Sequence, residues 1–257
     1  MKNTALITGA SSGIGRELAW VHAETGGDLI LIARRGEVLE ELKQQLIEKH
    51  KVEVLCIAID LNEPDAVKKV YDQVDAAGIE VNFLINNAGF GNHGPFYKHD
   101  WSTDGGMIHL NVTVLSEMTH RFLPDMLQRK HGHILNVGST AGFLPGPTMA
   151  VYYASKAYVL SFSQAIAEEV AEFGVTVTAL CPGPVATEFF DRAHAKDVGM
   201  FKKGASARKV AELGYRSMKK GRLVVIDQWG LWFLLNFVTP WVPRRTLLKI
   251  SRWLLGS

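Results

Sequence analysis

Cysteine is scarce. Cys56 and Cys181 are the only two in 257 residues, far apart and each in an apolar stretch. Thiols so placed build no disulfide framework and match no metal-ligand spacing, so both read as buried thiols of a reducing compartment. An excess of charge of one sign is also missing. With 28 Lys and Arg against 26 Asp and Glu the net charge is +2, too little to point to a nucleic-acid partner. No apolar run reaches the roughly 18 residues of a membrane-spanning helix. The chain enters a strand-like segment within its first few residues, which leaves no place for a signal peptide and makes a cytoplasmic protein the expectation. The Asn111-Val112-Thr113 sequon is discounted on the same ground. No linker, repeat or low-complexity stretch interrupts the chain.

What is present is an alternation. Residues 4–8, 28–33, 52–59, 83–86, 133–137, 176–180 and 223–226 read as strands. Residues 16–25, 37–50, 63–77, 105–128 and 151–173 read as helices, with Leu39, Leu42 and Leu46 on one face of the second. Continuously apolar strands suit a sheet buried on both faces, and strands alternating with helices argue for parallel pairing. The expected fold is α/β: a Rossmann-like, doubly wound, seven-stranded parallel sheet in three layers, as one domain over 1–257.

Tyr152 and Lys156 lie four residues apart, and Ser139 lies thirteen positions upstream of Tyr152. Residues i and i+4 share a helix face. A cation beside a phenol favours the phenolate and lowers a pKa ordinarily near ~10. The pair is therefore a candidate acid/base for an alcohol oxygen, with the Ser139 hydroxyl available to hold that oxygen. Thr8-Gly9-Ala10-Ser11-Ser12-Gly13-Ile14-Gly15 joins the first strand to the first helix. Glycines there let backbone approach a pyrophosphate at a helix N-terminus. The second strand ends in Ala33-Arg34-Arg35, where NAD sites place an acid. Guanidinium groups suit a 2′-phosphate, so NADP(H) is expected over NAD(H).

Together these residues resemble the short-chain dehydrogenase/reductase family over about residues 3–187. The shared motifs are Thr8–Gly15, Asp60, Asn86-Asn87-Ala88-Gly89, Asn111, Ser139, Tyr152–Lys156 and Pro182-Gly183. The resemblance implies Tyr152 as general acid/base, Lys156 as its pKa modulator and holder of the nicotinamide ribose, and Ser139 as the group that orients substrate. It implies Asn111 as the anchor of a water leading from Lys156 to solvent. Gly9, Ser11, Ser12, Gly13, Ile14 and Gly15 would hold phosphate, and Asp60 and Leu61 would border the adenine. Asn87, Ala88 and Gly89 would follow the adenosine. Pro182, Gly183, Val185 and Thr187 would hold the nicotinamide end. Tyr153 is expected to pack or to line the cleft. Family members are usually dimers or tetramers, so a homodimer or homotetramer is expected. The rival reading is a non-catalytic dinucleotide-sensing protein on the same fold.

Phe90, Phe96, Phe143, Leu144, Met149, Phe189, Phe190, Met200 and Phe201 make the segments expected to form the substrate pocket apolar. That points to a small hydrophobic ketone, aldehyde or alcohol. Lys202 and Lys203 read as a solvated pair. Residues 188–206 are expected to form a substrate lid. Residues 227–257 form a C-terminal extension. Its last helix carries Leu247, Ile250 and Leu254 on one face and Arg245, Lys249 and Arg252 on another. Packing on the pocket or on a second subunit is favoured over contact with a membrane surface.

Overall fold

The structure is a computed structural model, and it describes residues 1–189, 193 and 204–256. Seven strands form one sheet among the described residues: β1 (Thr4–Thr8), β2 (Leu29–Ala33), β3 (Val54–Ala58), β4 (Val81–Asn86), β5 (Gly132–Val137), β6 (Val175–Leu180) and β7 (Val224–Val225). Their order is β3-β2-β1-β4-β5-β6-β7, and the described pairings are parallel. β2, β3 and β7 are shorter than the apolar runs that announced them, whereas β4, β5 and β6 begin one or two residues earlier than expected.

Side chains on a strand alternate between faces, which divides the core in two. Ala5 and Ile7 point toward α1 (Gly13–Ala23) and α2 (Gly36–His50), where Leu18, Leu39, Leu42 and Leu46 are buried. Leu6, Ile30 and Ile32 point the other way. There they meet Val70 and Val74 of α3 (Ala66–Ala76), and Met118 and Phe122 of a later helix. That later stretch begins as α4 (Trp101–Ile108), capped by the Asp100 carboxylate, which accepts from the Ser102 N–H. It widens into a π-helical turn over His109–Val114 and continues as α5 (Leu115–Arg129). α6 (Ala150–Val170) follows β5.

A helix that strand-led reading passed over, α7 (Ala207–Lys219), packs on α1. It buries Val210, Ala211, Gly214, Tyr215 and Met218. Beyond β7 the chain forms α8 (Trp229–Phe233), a π turn (Leu234–Val238), a 3-10 turn (Thr239–Trp241) and α9 (Arg244–Leu254).

From β1 the sheet grows outward to β2 and β3, then resumes on the other side with β4. The connections therefore part company between β1 and β4. In open α/β sheets this reversal opens a crevice at the strands' carboxyl ends, where ligands bind.

Candidate active site

A cavity of about 700 Å³ occupies that crevice. It is walled by the β1–α1 loop, the ends of β2 and β3, residues 87–90 after β4, residues 137–141 after β5, the start of α6, and residues 182–189. Of the catalytic and cofactor-binding residues expected from the sequence, all but Gly15 and Asn111 line it.

The glycine loop is built for close approach. Gly9 has φ +67°, a region that favours glycine. Ser12 stands at the N-cap of α1 but makes no side-chain capping bond. The first amides of that helix therefore keep their donors and the positive end of its dipole for an anion. The loop is braced from β4: Asn87 Nδ2 donates to Thr8 O at 2.9 Å and Gly9 O at 3.2 Å. The amides of Asn87 and Ala88 both donate to Thr8 Oγ1. The Asn87 side chain thus braces the loop while the residue lines the cavity.

Arg35 crosses to the loop, its Nε 3.3 Å from Ser11 Oγ, and forms an ion pair with Glu188 at 3.3 Å. Arg34 stands more exposed, 3.6 Å from Asp60. Asn62 Oδ1 is buried without a partner in the wall beside Asp60 and Leu61. It is an acceptor suited to an amino group on a bound ring. Bare helix amides and a lone acceptor along one crevice fit a nicotinamide dinucleotide, with two guanidinium groups at its border.

At the far end, Ser139 Oγ accepts from the Ala141 N–H at 3.1 Å. That bond uses one lone pair and leaves the hydroxyl proton for the Tyr152 phenol, to which Ser139 is hydrogen-bonded. Tyr152 lies 5.3 Å centroid to centroid from Phe189. Burial pushes its phenol above the ordinary tyrosine range, and the Ser139 bond opposes this only in part. The expected cationic lowering is not met in this structure. Lys156 Nζ donates to Val137 O at 2.8 Å and sits 5.9 Å from the centre of the Tyr152 ring. Burial in turn lowers the ammonium to about 8. Desolvation is the largest influence on both groups.

Asn111 lies behind this wall, on the π turn, a helix variant frequent at functional sites. Its Nδ2 donates to Phe90 O (3.0 Å) and Ser155 Oγ (3.1 Å), and its Oδ1 accepts from the Phe90 N–H. Gly89 keeps the space between them open. A Cβ there would meet Asn111 Oδ1 at 2.8 Å and Lys156 Nζ at 3.7 Å.

Sequence reasoning missed several supports. Asp227 Oδ1 accepts from the Gly183 N–H at 2.8 Å and holds the Pro182-Gly183 turn. A buried string runs from Thr119 through Asn86 and Asn136 to Ser163, tying α5, β4, β5 and α6. Its partners are 27 to 50 residues apart, so only buried polar residues at strand ends could have hinted at them.

On the substrate side, Phe90, Ala141, Met149, Tyr153 and Phe189 line the cavity. Phe143 instead packs near Cys181 and Leu160, because the 3-10 turn Thr140–Phe143 turns it under the loop. Phe96 is exposed on its own short turn, and Leu144 packs beneath the wall. Phe190, Met200, Phe201, Lys202, Lys203 and most of the expected lid lie outside the described residues. Cys181 is buried as expected; Cys56 is only partly so. Among the described residues no cluster could hold a metal, and no helix is long and apolar enough to cross a membrane. The tail folds back intramolecularly. Leu255 joins Ala141, Met149 and Tyr153 in one buried cluster, and its carbonyl lies 3.2 Å from His93 Nε2.

The profile of the family described as short chain dehydrogenase matches residues 3–197. The very-long-chain 3-oxoacyl-CoA reductase of Homo sapiens is 36% identical over 190 residues, 72% of this chain and 60% of that one. The chain thus spans about 60% of the length of that relative. The sulfoacetaldehyde reductase of Chromohalobacter salexigens is 40% identical over 194 residues, 74% of this chain and 75% of that one. Among solved structures, a short-chain dehydrogenase from Sphingobium yanoikuyae in complex with NADPH superposes with a TM-score of 0.85 at 31% identity, covering 92% of each chain. A bulky-bulky ketone specific alcohol dehydrogenase from Comamonas testosteroni gives 0.79 at 28% identity, covering 93% of this chain and 89% of that one.

Proposed function

The chain belongs to the short chain dehydrogenase family, and from that premise we propose that it is an NADP(H)-dependent oxidoreductase. It interconverts a hydrophobic ketone or aldehyde and the corresponding alcohol. The observation that carries the reading is the convergence of Ser139, Tyr152 and Lys156 at the apolar end of a cavity whose other end gathers anion-binding groups.

The amides at the start of α1 would hold the pyrophosphate, Arg34 and Arg35 the 2′-phosphate, and Lys156 the nicotinamide ribose. When bound, this coenzyme supplies or accepts the hydride. Tyr152 gives its phenolic proton to the substrate oxygen during reduction and takes it back during oxidation. Burial keeps the phenol protonated at neutral pH, the state that reduction requires. Ser139 donates to the same oxygen as negative charge builds on it. Phe90, Met149 and Phe189 give the oxygen-bearing carbon an apolar seat. The NADPH complex of the Sphingobium structure supports the coenzyme assignment, and the bulky-ketone and 3-oxoacyl-CoA relatives support an apolar substrate bulkier than the small one expected from the sequence. In solution the proposal carries a homodimer or homotetramer through the helices bearing Asn111 and Lys156. There Tyr158 is exposed and stacks on Phe162 at 5.6 Å.

The test is coenzyme-coupled absorbance on a panel of bulky ketones, aldehydes, secondary alcohols and a long-chain 3-oxoacyl-CoA. Tyr152→Phe should lower turnover by about 10²–10⁴-fold while NADPH fluorescence titrations stay close to wild type. Substantial turnover in that variant contradicts the assignment, and a wild type that binds NADPH but turns over nothing returns the protein to the sensor reading.

A further inference from the structure

The C-terminal segment presents apolar surface where a helix would ordinarily bury it. Trp229, Phe233 and Phe237 recur every four residues and stack, with centroids 6.1 and 5.5 Å apart. They are 77%, 47% and 53% exposed. Trp232 meets Phe237 edge-on at 5.3 Å, and Leu235 is the one residue of this turn that is buried. Trp241 is 87% exposed. In α9 the inward residue is Ser251, followed by Leu255 just past the helix end, so Ile250, Trp253 and Leu254 face outward. The apolar stripe read from the sequence is thus only partly turned toward the protein.

Charge separates the occupants this face could take. Residues 229–257 contain Arg244, Arg245, Lys249 and Arg252 and not one Asp or Glu. An isologous dimer sets the same patch against itself, which here would oppose cations with no carboxylate to meet them. Aromatic side chains and cations side by side suit the headgroup region of a bilayer, where indole rings rest at the interface and cations meet anionic lipid. α9 has 11 residues, about 16 Å of helix, too short to span the hydrocarbon. Such a segment lies on the surface.

We propose that residues 229–256 dock this protein onto an anionic lipid bilayer. Leu255 packs on Met149 and Tyr153, so the docked segment continues into the apolar wall of the cavity. Delivery of an apolar substrate from the bilayer to that wall rests on the oxidoreductase reading; the docking does not.

Flotation of the full chain with vesicles decides the matter without turnover. The vesicles are phosphatidylcholine, with or without phosphatidylserine in about a third of the lipid. Wild type and Tyr152→Phe should both float with the anionic vesicles and stay behind with the neutral ones. Replacing Arg244, Arg245 and Lys249 together by Gln should weaken partitioning about a hundredfold, from roughly fivefold per cation. Trp229→Ser with Phe233→Ser should also weaken it severalfold. All five positions are exposed, so circular dichroism melts should be unchanged, and either variant set alone tests the idea if the other is poorly folded. Wild type that stays unbound with anionic vesicles at low salt overturns the proposal, as does partitioning that neither set alters. Loss of a solution dimer in the aromatic variant, with no vesicle binding by wild type, would assign the face to a second copy instead.

Discussion

Arg34 and Arg35 sit side by side in sequence yet face different partners, one at Asp60 and the other at Ser11 and Glu188. Because Arg34 is the more exposed, its substitution disturbs the fold less than that of Arg35. Arg34→Glu would place a carboxylate beside Asp60 where a 2′-phosphate is proposed. Loss of a charge-assisted contact commonly costs about 1.5–3 kcal/mol, so the Michaelis constant for NADPH should rise at least about tenfold, with a much smaller change for NADH. Steady-state kinetics with both coenzymes checks this, and an equal response would contradict the assignment. The Tyr152–Lys156 pair shows where residue-scale reading stops. Spacing placed both side chains on one helix face, which the structure bears out. It could not show that the Val137 carbonyl engages the ammonium, or that burial drives the phenol upward.

At the scale of elements, α1 is fastened to its neighbours by a histidine that must stay neutral. His22 is fully buried, with Nε2 donating to Asn3 O at 2.8 Å and Nδ1 accepting from the Tyr215 hydroxyl of α7 at 2.9 Å. Burial lowers its pKa to about 4. An unfolded histidine titrates near ~6.5, so between those values the unfolded chain takes up a proton that the folded chain refuses. This contribution is whole above about pH 6.5 and fades toward pH 4, by up to about 3 kcal/mol. Circular dichroism melts should therefore fall in midpoint from pH 7 to pH 4.5, and His22→Gln should flatten part of that slope from a lower starting point. An unchanged midpoint in wild type would refute it. Elements were legible where their burial is monotonous: β1, β2 and β4 are buried at every position, and continuous apolar runs announce that. α7 was not, because part of its inward face is Ala211, Gly214 and Ser217. Small residues allow close packing but leave a faint periodic signal. The glycine loop and the Tyr152 helix start were legible as motifs. Their braces at Asp227, Asn136 and Ser163 were not, since each partner arrives from a distant element.

For the molecule as a whole, the tail and the cavity form one unit. Leu255 is 1% exposed in the cluster that backs Tyr152. Leu255→Ala should cost about 2 kcal/mol or more and raise the Michaelis constant for apolar substrates severalfold, with coenzyme affinity unchanged. Thermal melts and steady-state kinetics together test this; no movement in either would mean that the tail is a bystander. A second long-range dependence arises from the wide turn at His109–Val114. Met107 and Met126 are both fully buried, yet along an uninterrupted α-helix they would stand about 100° apart around the axis. The turn absorbs much of that angle, so α5 keeps its apolar face on β4 and β5 and α4 keeps its own against α6, while Asn111 is delivered inward between them. Deleting one residue there would wind α4 out of step with α5. The hydrophobic layer beneath β4 and β5 and the wall behind Lys156 would come undone together, so neither can evolve its spacing alone.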